Sequence, residues 1–408
     1  MQARHKYLFI HQNFPGQFKH LAPALAAQGH EVVGLGMCEP AVATPGVRYL
    51  RHAVEAAADR AAPHQLKDLQ SKVLRGESAA AAMQALKDEG YAPDVVFVHP
   101  GWGEALFVKD VFPKAKLLVY AEYYYELEGG DSFFDPEFSR PNAAAVQRLR
   151  LRNTHLLHAM SVADGALSPT TFQRDRHPAW FRERISVIHD GIDTDRFRPD
   201  AAASVQLRTA GITLRPGDEV VVFVARQLEP YRGYHIFMRA LPALLKRRPN
   251  ARVVIVGGDG VSYGAAPPKG KTWKQIFRDE VAGGIDADRV HFVGKVPHEV
   301  LTQLMQVAAV YTYLTYPFVL SWSLMEAMSC GCLIVASDTA PVREVIEHGR
   351  NGLLVDFFDH QALAAGVADA LERRAELQHL RDAARQTIVE RYDMRRHCMP
   401  ALLDFVRP

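Results

Sequence analysis

The 408-residue chain has no long hydrophobic run, only four cysteines and a net charge of just +2, and each shortage excludes a class of function. Its first apolar run, "YLFI", is a few residues long and leads straight into "HQNFPGQ". That is far short of a secretory signal or a membrane span of roughly 20 residues. A cytoplasmic protein is expected, with any membrane contact peripheral. Cys38, Cys330, Cys332 and Cys398 show no C-x-x-C spacing, so neither a zinc site nor a disulfide framework is expected, and a reducing compartment fits. The near-neutral balance gives no electrostatic case for a nucleic-acid partner. "GGDG" at 257–260 lacks the G-x-G-x-x-G spacing of a dinucleotide loop, so no nicotinamide cofactor is expected. The D-x-D triplets at Asp193–Asp195 and Asp286–Asp288 are read as turn and cap residues rather than metal ligands.

What is present is an alternation of short apolar runs with longer amphipathic stretches. "YLFI", "EVVGL", "DVVFVH", "KLLVYAE", "GALS" and "ISVIHDG" form a first series; "EVVVFVA", "RVVIVGG", "RVHFVG", "AAVYTY", "LIVAS" and "LLVDF" form a second. Alternating strands and helices predict parallel sheets covered on both faces. The length exceeds the ~250–300 residues at which one core stops growing, so two domains are expected. The polar stretch 199–218 reads as the linker, which gives domains at 1–199 and 219–380 and a helical segment at 381–408 packing back on the first domain.

Ligands of doubly wound sheets bind past the carboxyl ends of the strands, which directs attention to the residues there. After "VVVFVA" come Arg226 and, six positions on, Arg232, fork-shaped donors that suit phosphate oxygens. His99 ends "DVVFVH"; Gly16 sits between the first strand and first helix, either to let a bound group approach or simply to make a Pro-Gly turn. In "YPFVLSWSLMEAMSCGC" the carboxylate of Glu326 follows Ser323 by three residues. That spacing fits a capping box, and the same carboxylate would equally serve as an acceptor for a ligand's hydroxyls. In "YAEYYYELEGGDSFFDPEF", Glu122, Tyr124 and Glu126 are either an acceptor cradle or core tyrosines and solvated carboxylates. The stretch "RPNAAAVQRLRLRNTHLLH" has four arginines and no acid, which suits an anionic bilayer surface or a solvated helix face.

Taken with "FPGQFKHLAPALAAQGHEV", "ISVIHDGIDTDRFRP", "RVHFVGKVP" and "EVIEHGRNGLLVDFFD", these residues make nearly the whole chain resemble the family 4 glycosyltransferases, retaining enzymes of the GT-B fold that use nucleotide sugars. The resemblance implies two Rossmann-like domains facing across a cleft. It implies that Arg226 and Arg232 grip the diphosphate, that His99 lies near the donor sugar, and that Gly16 belongs to the N-terminal glycine loop. It places Val296 in the base-binding turn and Glu326, the second Glu of the family's E-x7-E motif, on the ribose. Phe318 stands where the family has the first Glu, so the resemblance carries over the pocket, with the backbone amides of Val319, Leu320 and Ser321, but not its sugar preference.

The implied activity is transfer of a hexosyl unit from a UDP- or GDP-sugar to an acceptor hydroxyl with retention, in cell-surface polysaccharide or glycoconjugate biosynthesis. No metal and no cofactor are expected, the donor being a substrate. The expected partners are the nucleotide sugar and a sugar, lipid-linked or protein acceptor, with peripheral contact at the inner membrane surface. The alternatives on the same fold are an epimerase, a phosphorylase, or a catalytically degenerate nucleotide-sugar-binding protein.

Overall fold

The computed structural model describes residues 3–40, 42–54, 63–207 and 210–408. The chain forms two compact units, one comprising residues up to Asp190 together with Arg395–Pro408, the other Gly191–Met394.

The first unit is built on seven parallel strands: β1 (Lys6–Ile10), β2 (Glu31–Gly36), β3 (Arg48–Arg51), β4 (Val95–Val98), β5 (Lys116–Tyr120), β6 (Gly165–Ser168) and β7 (Ile185–Val187). Their order in the sheet is β3-β2-β1-β4-β5-β6-β7. The short apolar runs become these strands because both faces are covered. Leu8, Ile10, Val33, Leu35, Val96 and Val98 enter one core. Their neighbours Tyr7, Phe9, Val32, Val95 and Phe97 enter the other. Continuous apolar runs in place of alternation are what a doubly covered parallel sheet requires. The second core also holds Leu402 and Val406, and the Phe405 ring lies tilted against Phe97 at 5.8 Å, so the C-terminal helix Met399–Phe405 seals this unit.

The second unit opens with an antiparallel pair, β8 (Val205–Leu207) and β9 (Ile212–Leu214), followed by β10 (Val220–Gln227), β11 (Arg252–Gly258), β12 (Val290–Gly294), β13 (Val310–Tyr313), β14 (Leu333–Ser337) and β15 (Leu353–Val355). The six later strands form a parallel sheet in the order β12-β11-β10-β13-β14-β15.

Two boundaries differ from the sequence reading. The stretch taken as a linker, 199–218, belongs to the second unit: Val205, Leu207 and Leu214 are buried in its core, and the chain enters that unit at Gly191, well before the Pro- and Gly-containing segment. Residues 208–209 of that stretch lie outside the described residues. Nor does the whole of 381–408 return to the first unit. The helix Gln378–Arg391 puts Ala384 and Ile388 into the second core, and only the chain from Arg395 onward joins the first. Amphipathic helices of similar composition on either side of "RYDM" hide this division from a reading of residues alone.

Candidate functional site: two switch points

In each parallel sheet the strand order reverses once, and the crevice at that point, beyond the carboxyl ends of the strands, is where doubly wound folds bind ligands. In the first unit the reversal lies between β1 and β4. His11 follows β1, His99 follows β4, and Glu122 lies two residues past β5. Three adjacent strands thus deliver three polar side chains to one edge.

They meet. His99 Nε2 lies 3.3 Å from Glu122 Oε2. Gln17 Nε2 donates to Glu122 Oε1 at 2.9 Å, and Gln173 Nε2 holds the Glu122 carbonyl at 2.7 Å. The Gly101 amide donates to His99 Nδ1 at 3.2 Å and the Asn13 amide to His11 Nδ1 at 2.9 Å, so each neutral imidazole carries its proton on Nε2. Trp102 stacks on His99 with ring centroids 4.5 Å apart, while His11 stands edge-on to both. Burial, then the neighbouring His99, pushes the His11 pKa down to about 3, so it is neutral at physiological pH. For Glu122 burial alone would raise the pKa; its interaction with His99, with smaller ones from His11 and Gln17, outweighs burial and holds the carboxyl below its usual range. An ionised carboxylate beside imidazole N–H groups is a set of acceptors and donors that matches a sugar hydroxyl.

Gly16 has φ +49°, and a Cβ there would meet the His11 ring at 2.4 Å. The space above this glycine is filled by His11, so the close approach it permits is that of an imidazole. Tyr124 and Glu126 do not join Glu122. They line a separate pocket of about 440 Å³ with Val146, Leu149, Arg150 and Arg176, in which Glu126 is ion-paired with Arg176.

In the second unit the reversal lies between β10 and β13. Arg226 sits where the β10–β11 register shifts, between Val224 and Gln227, and its side chain is exposed with no hydrogen bond or ion pair to the described residues. A bulge of this kind re-aims a side chain at a strand end. Arg232 differs: it is buried, and its Nη1 donates to Tyr313 Oη at 3.2 Å, Thr315 Oγ1 at 2.8 Å and the Val319 carbonyl at 3.0 Å. Its guanidinium lies 5.1 Å from the Tyr263 ring centre and 6.0 Å from that of Phe318. Glu229, also buried, accepts from the backbone amides of Ser262, Tyr263 and Gly264, fixing the loop that carries Tyr263.

The helix Trp322–Ser329 begins in this neighbourhood. Its N-cap is Ser321, whose side chain accepts from the Ser323 amide at 3.3 Å. Ser323 is therefore not the cap, and Glu326 lies too deep in the helix for a capping box; the carboxylate instead meets His298 Nε2 at 3.2 Å. The Ser321 amide is also committed, donating to Tyr313 Oη at 2.9 Å, which removes it from the expected set of ligand donors. Phe318 is 5% exposed and packs among Tyr231 and Tyr263. Val296 and Leu320 are half-buried against the core of this unit. The helix ends where Gly331, at φ +73°, donates to Met328 and Cys332 donates to Ala327, the paired bonds of a Schellman motif.

Asp193 accepts from the amides of Asp195 and Arg196, and Asp286 from that of Asp288, so both D-x-D triplets are turn-formers. His11, Gln17, Trp102, Tyr263 and His298 were not singled out from the sequence. For His11 a signal existed: like His99, it is the first polar residue after an apolar strand.

Residues 28–197 match the glycosyl transferase family 4 group and residues 208–387 the glycosyl transferases group 1. A D-inositol 3-phosphate glycosyltransferase of Streptomyces avermitilis is 29% identical over 241 residues, 54% of this chain and 50% of that protein. A GDP-mannose-dependent alpha-(1-6)-phosphatidylinositol monomannoside mannosyltransferase of Mycobacterium tuberculosis is 28% identical over 232 residues, 55% of this chain and 56% of that one. The chain spans about half the length of the curated relatives it matches. Among solved structures, sucrose-phosphate synthase from Thermosynechococcus elongatus superposes with a TM-score of 0.74 at 19% identity, covering 98% of each chain. Anabaena HepE in complex with UDP-glucose does so with a TM-score of 0.70 at 16% identity, covering 98% of this chain and 99% of that one. With two parallel-sheet α/β units of the GT-B type and a family match on each, the chain belongs to the family 4 glycosyltransferases.

Proposed function

We propose that the protein transfers a hexosyl unit from a UDP- or GDP-sugar to an acceptor hydroxyl with retention, in the cytoplasm, for cell-surface polysaccharide or glycoconjugate biosynthesis. The observation that carries this reading is the contrast between the two switch points. One offers an exposed arginine, Arg226, at the end of β10, and a pinned arginine, Arg232, tied to the segment that leads into a helix start. The other offers an ionised carboxylate between Gln17 and His99. The first suits a diphosphate, whose charge matches guanidinium and a helix N-terminus. The second suits a hydroxyl. Relatives named for GDP-mannose-dependent transfer and a fold neighbour solved with UDP-glucose support the donor class.

In this reading the bond from the anomeric carbon to the phosphate oxygen breaks as a bond to the acceptor oxygen forms on the same face. The acceptor proton passes to the departing phosphate oxygen. Glu122 accepts a hydrogen bond from the acceptor hydroxyl and fixes its direction. Arg226 meets the charge that grows on the leaving diphosphate, where fixed donors act most strongly. Two arginines and the partial charge of a helix start, about half a unit, nearly balance that group without a metal. A thermal-shift panel of nucleoside diphosphates and nucleotide sugars tests the donor: the matching compound raises the midpoint by an amount that grows with the logarithm of its affinity, and EDTA leaves the shift and the turnover unchanged. A panel with no shift for any uridine or guanosine compound refutes the reading. The buried Phe318 favours a degenerate binding protein as the second reading, and sugar transfer by the purified protein would end it.

Membrane contact is a separate part of the proposal. No helix among the described residues is long and apolar enough to cross a membrane. The helix Ala143–Arg152, however, buries none of its residues and carries Arg148, Arg150 and Arg152. A lipid-linked acceptor would be met with this helix lying on anionic lipid, each arginine contributing about 1 kcal/mol near the surface. Flotation with phosphatidylglycerol-rich vesicles is expected to carry the protein at low salt. Replacing the three arginines by glutamine should release it, and failure to float in the first place rules the contact out.

A further inference from the structure

Glu326 is 6% exposed and projects from the Trp322–Ser329 helix toward the helix His298–Val307. Its Oε1 lies 3.2 Å from His298 Nε2, and its Oε2 has no protein partner among the described residues. An ionised carboxylate only accepts hydrogen bonds, so the facing imidazole nitrogen carries the proton and donates. His298 is itself braced: it is the first residue of its helix, after Pro297, and its ring lies 5.2 Å from that of Phe197. Its side chain is 43% exposed, so it is not itself part of the buried core. A solvent-accessible residue that engages one oxygen of a nearly buried carboxylate leaves that group a single direction in which to present the other.

We infer that His298 is a positioning residue that locks Glu326 with its free oxygen toward the ribose hydroxyls of the bound nucleotide, and so sets the preference for ribose over 2′-deoxyribose. The inference rests on the nucleotide-sugar reading above and adds the device that makes Glu326 selective. Losing His298 frees the carboxylate to rotate and to be solvated, so the hydroxyls lose a preorganised acceptor while the phosphate contacts stay as they were.

Calorimetric titration with UDP and GDP, each beside its 2′-deoxy counterpart, separates the possibilities. The unaltered protein should bind the preferred ribonucleotide at least about ten-fold tighter than the deoxy form, the worth of a hydrogen bond to a charged group. His298→Ala should lose most of that ratio with the deoxy affinity and melting temperature unchanged. His298→Gln, whose amide N–H reaches a similar place, should restore much of it. A ratio fully kept in His298→Ala, or an equal loss for both sugars, overturns the positioning role. Equal binding of ribo- and deoxynucleotide by the unaltered protein instead overturns the assignment of Glu326 to the ribose, and no binding of either overturns the nucleotide-sugar reading itself.

Discussion

Acidification from pH 7 to pH 5 should unfold the first unit before the second. Among the described residues five histidines of the first unit besides His99 are buried: His11, His52, His155, His177 and His189, none more than 7% exposed. In each, burial is the leading cause of a depressed pKa, down to about 3 for His11 and about 4 for the other four. A histidine held neutral in the fold takes up a proton near pH 6.5 once unfolded, so the unfolded state binds more protons and stability rises with pH. Read downward, each site begins to lose stability as the pH falls through about 6.5 and goes on losing it until the folded value is reached, about 2 kcal/mol apiece by pH 5. Together they rival the ~5–15 kcal/mol that holds a domain folded. Glu122, with its depressed carboxyl, adds to the loss below the ordinary carboxylate range; Glu104, raised chiefly by burial, takes up its proton earlier in the fold than when unfolded and so offsets part of the histidine loss above that range. In the second unit, among the described residues, His235 alone is fully buried, against these five, and His291 is depressed in the same direction but only part-buried. Hydrogen exchange at pH 7, 6 and 5 should show β1, β4 and β5 losing protection while β10, β11 and β13 keep theirs. Uniform protection across both sheets at pH 5 would refute the claim.

The strands were legible because a parallel sheet covered on both sides needs uninterrupted apolar runs, and "VVFV" or "LIVAS" has no other stable use in so regular an alternation. The end of the helix at Gly331 was legible for a local reason, since a left-handed residue there closes two backbone bonds. Its start was not. Ser321 and Ser323 are both good caps, and Ser323-x-x-Glu326 even has the spacing of a capping box. What decides between them is Tyr313, eight residues back, whose hydroxyl accepts from the Ser321 amide and so fixes where the turn begins. The role of Glu326 follows from the same contact at a distance, because its partner His298 is 28 residues away on another helix. Of the two readings of Gly16, the Pro-Gly turn holds, since it follows a turn and has φ +49°; that His11 closes over it is something only the fold brings about. Strand ends and helix ends are written locally, whereas the partner of a polar side chain is a property of the packed sheet.

Arg232→Ala and Arg226→Ala should fail in different ways, although the two arginines were paired on sequence grounds as one clamp. Arg232 is a tie. A single buried nitrogen bonds Tyr313, Thr315 and the Val319 carbonyl, and Tyr313 in turn receives the Ser321 amide, so one guanidinium sets the path from β13 to the helix start. Removing it strands buried hydroxyls and a carbonyl, which costs about 3 kcal/mol. For a unit of this size that lowers the melting temperature by roughly 6–12 °C. Nucleotide affinity and turnover should fall with it, because the helix start is no longer held in place. Arg232→Lys should recover only part, since the lysine side chain is one bond shorter and leaves its ammonium short of the Nη1 position that reaches all three acceptors. Arg226 has no such partners and stands exposed at the β10 bulge. Its loss should leave the melting temperature within about 1 °C, as for an ordinary surface change. Turnover should nonetheless drop about 10²–10³-fold if this is the group that meets the leaving diphosphate. Calorimetry and steady-state rates on the purified variants read both quantities. A stable Arg232→Ala would show that the tie carries no load, and an active Arg226→Ala would show that the diphosphate is met elsewhere.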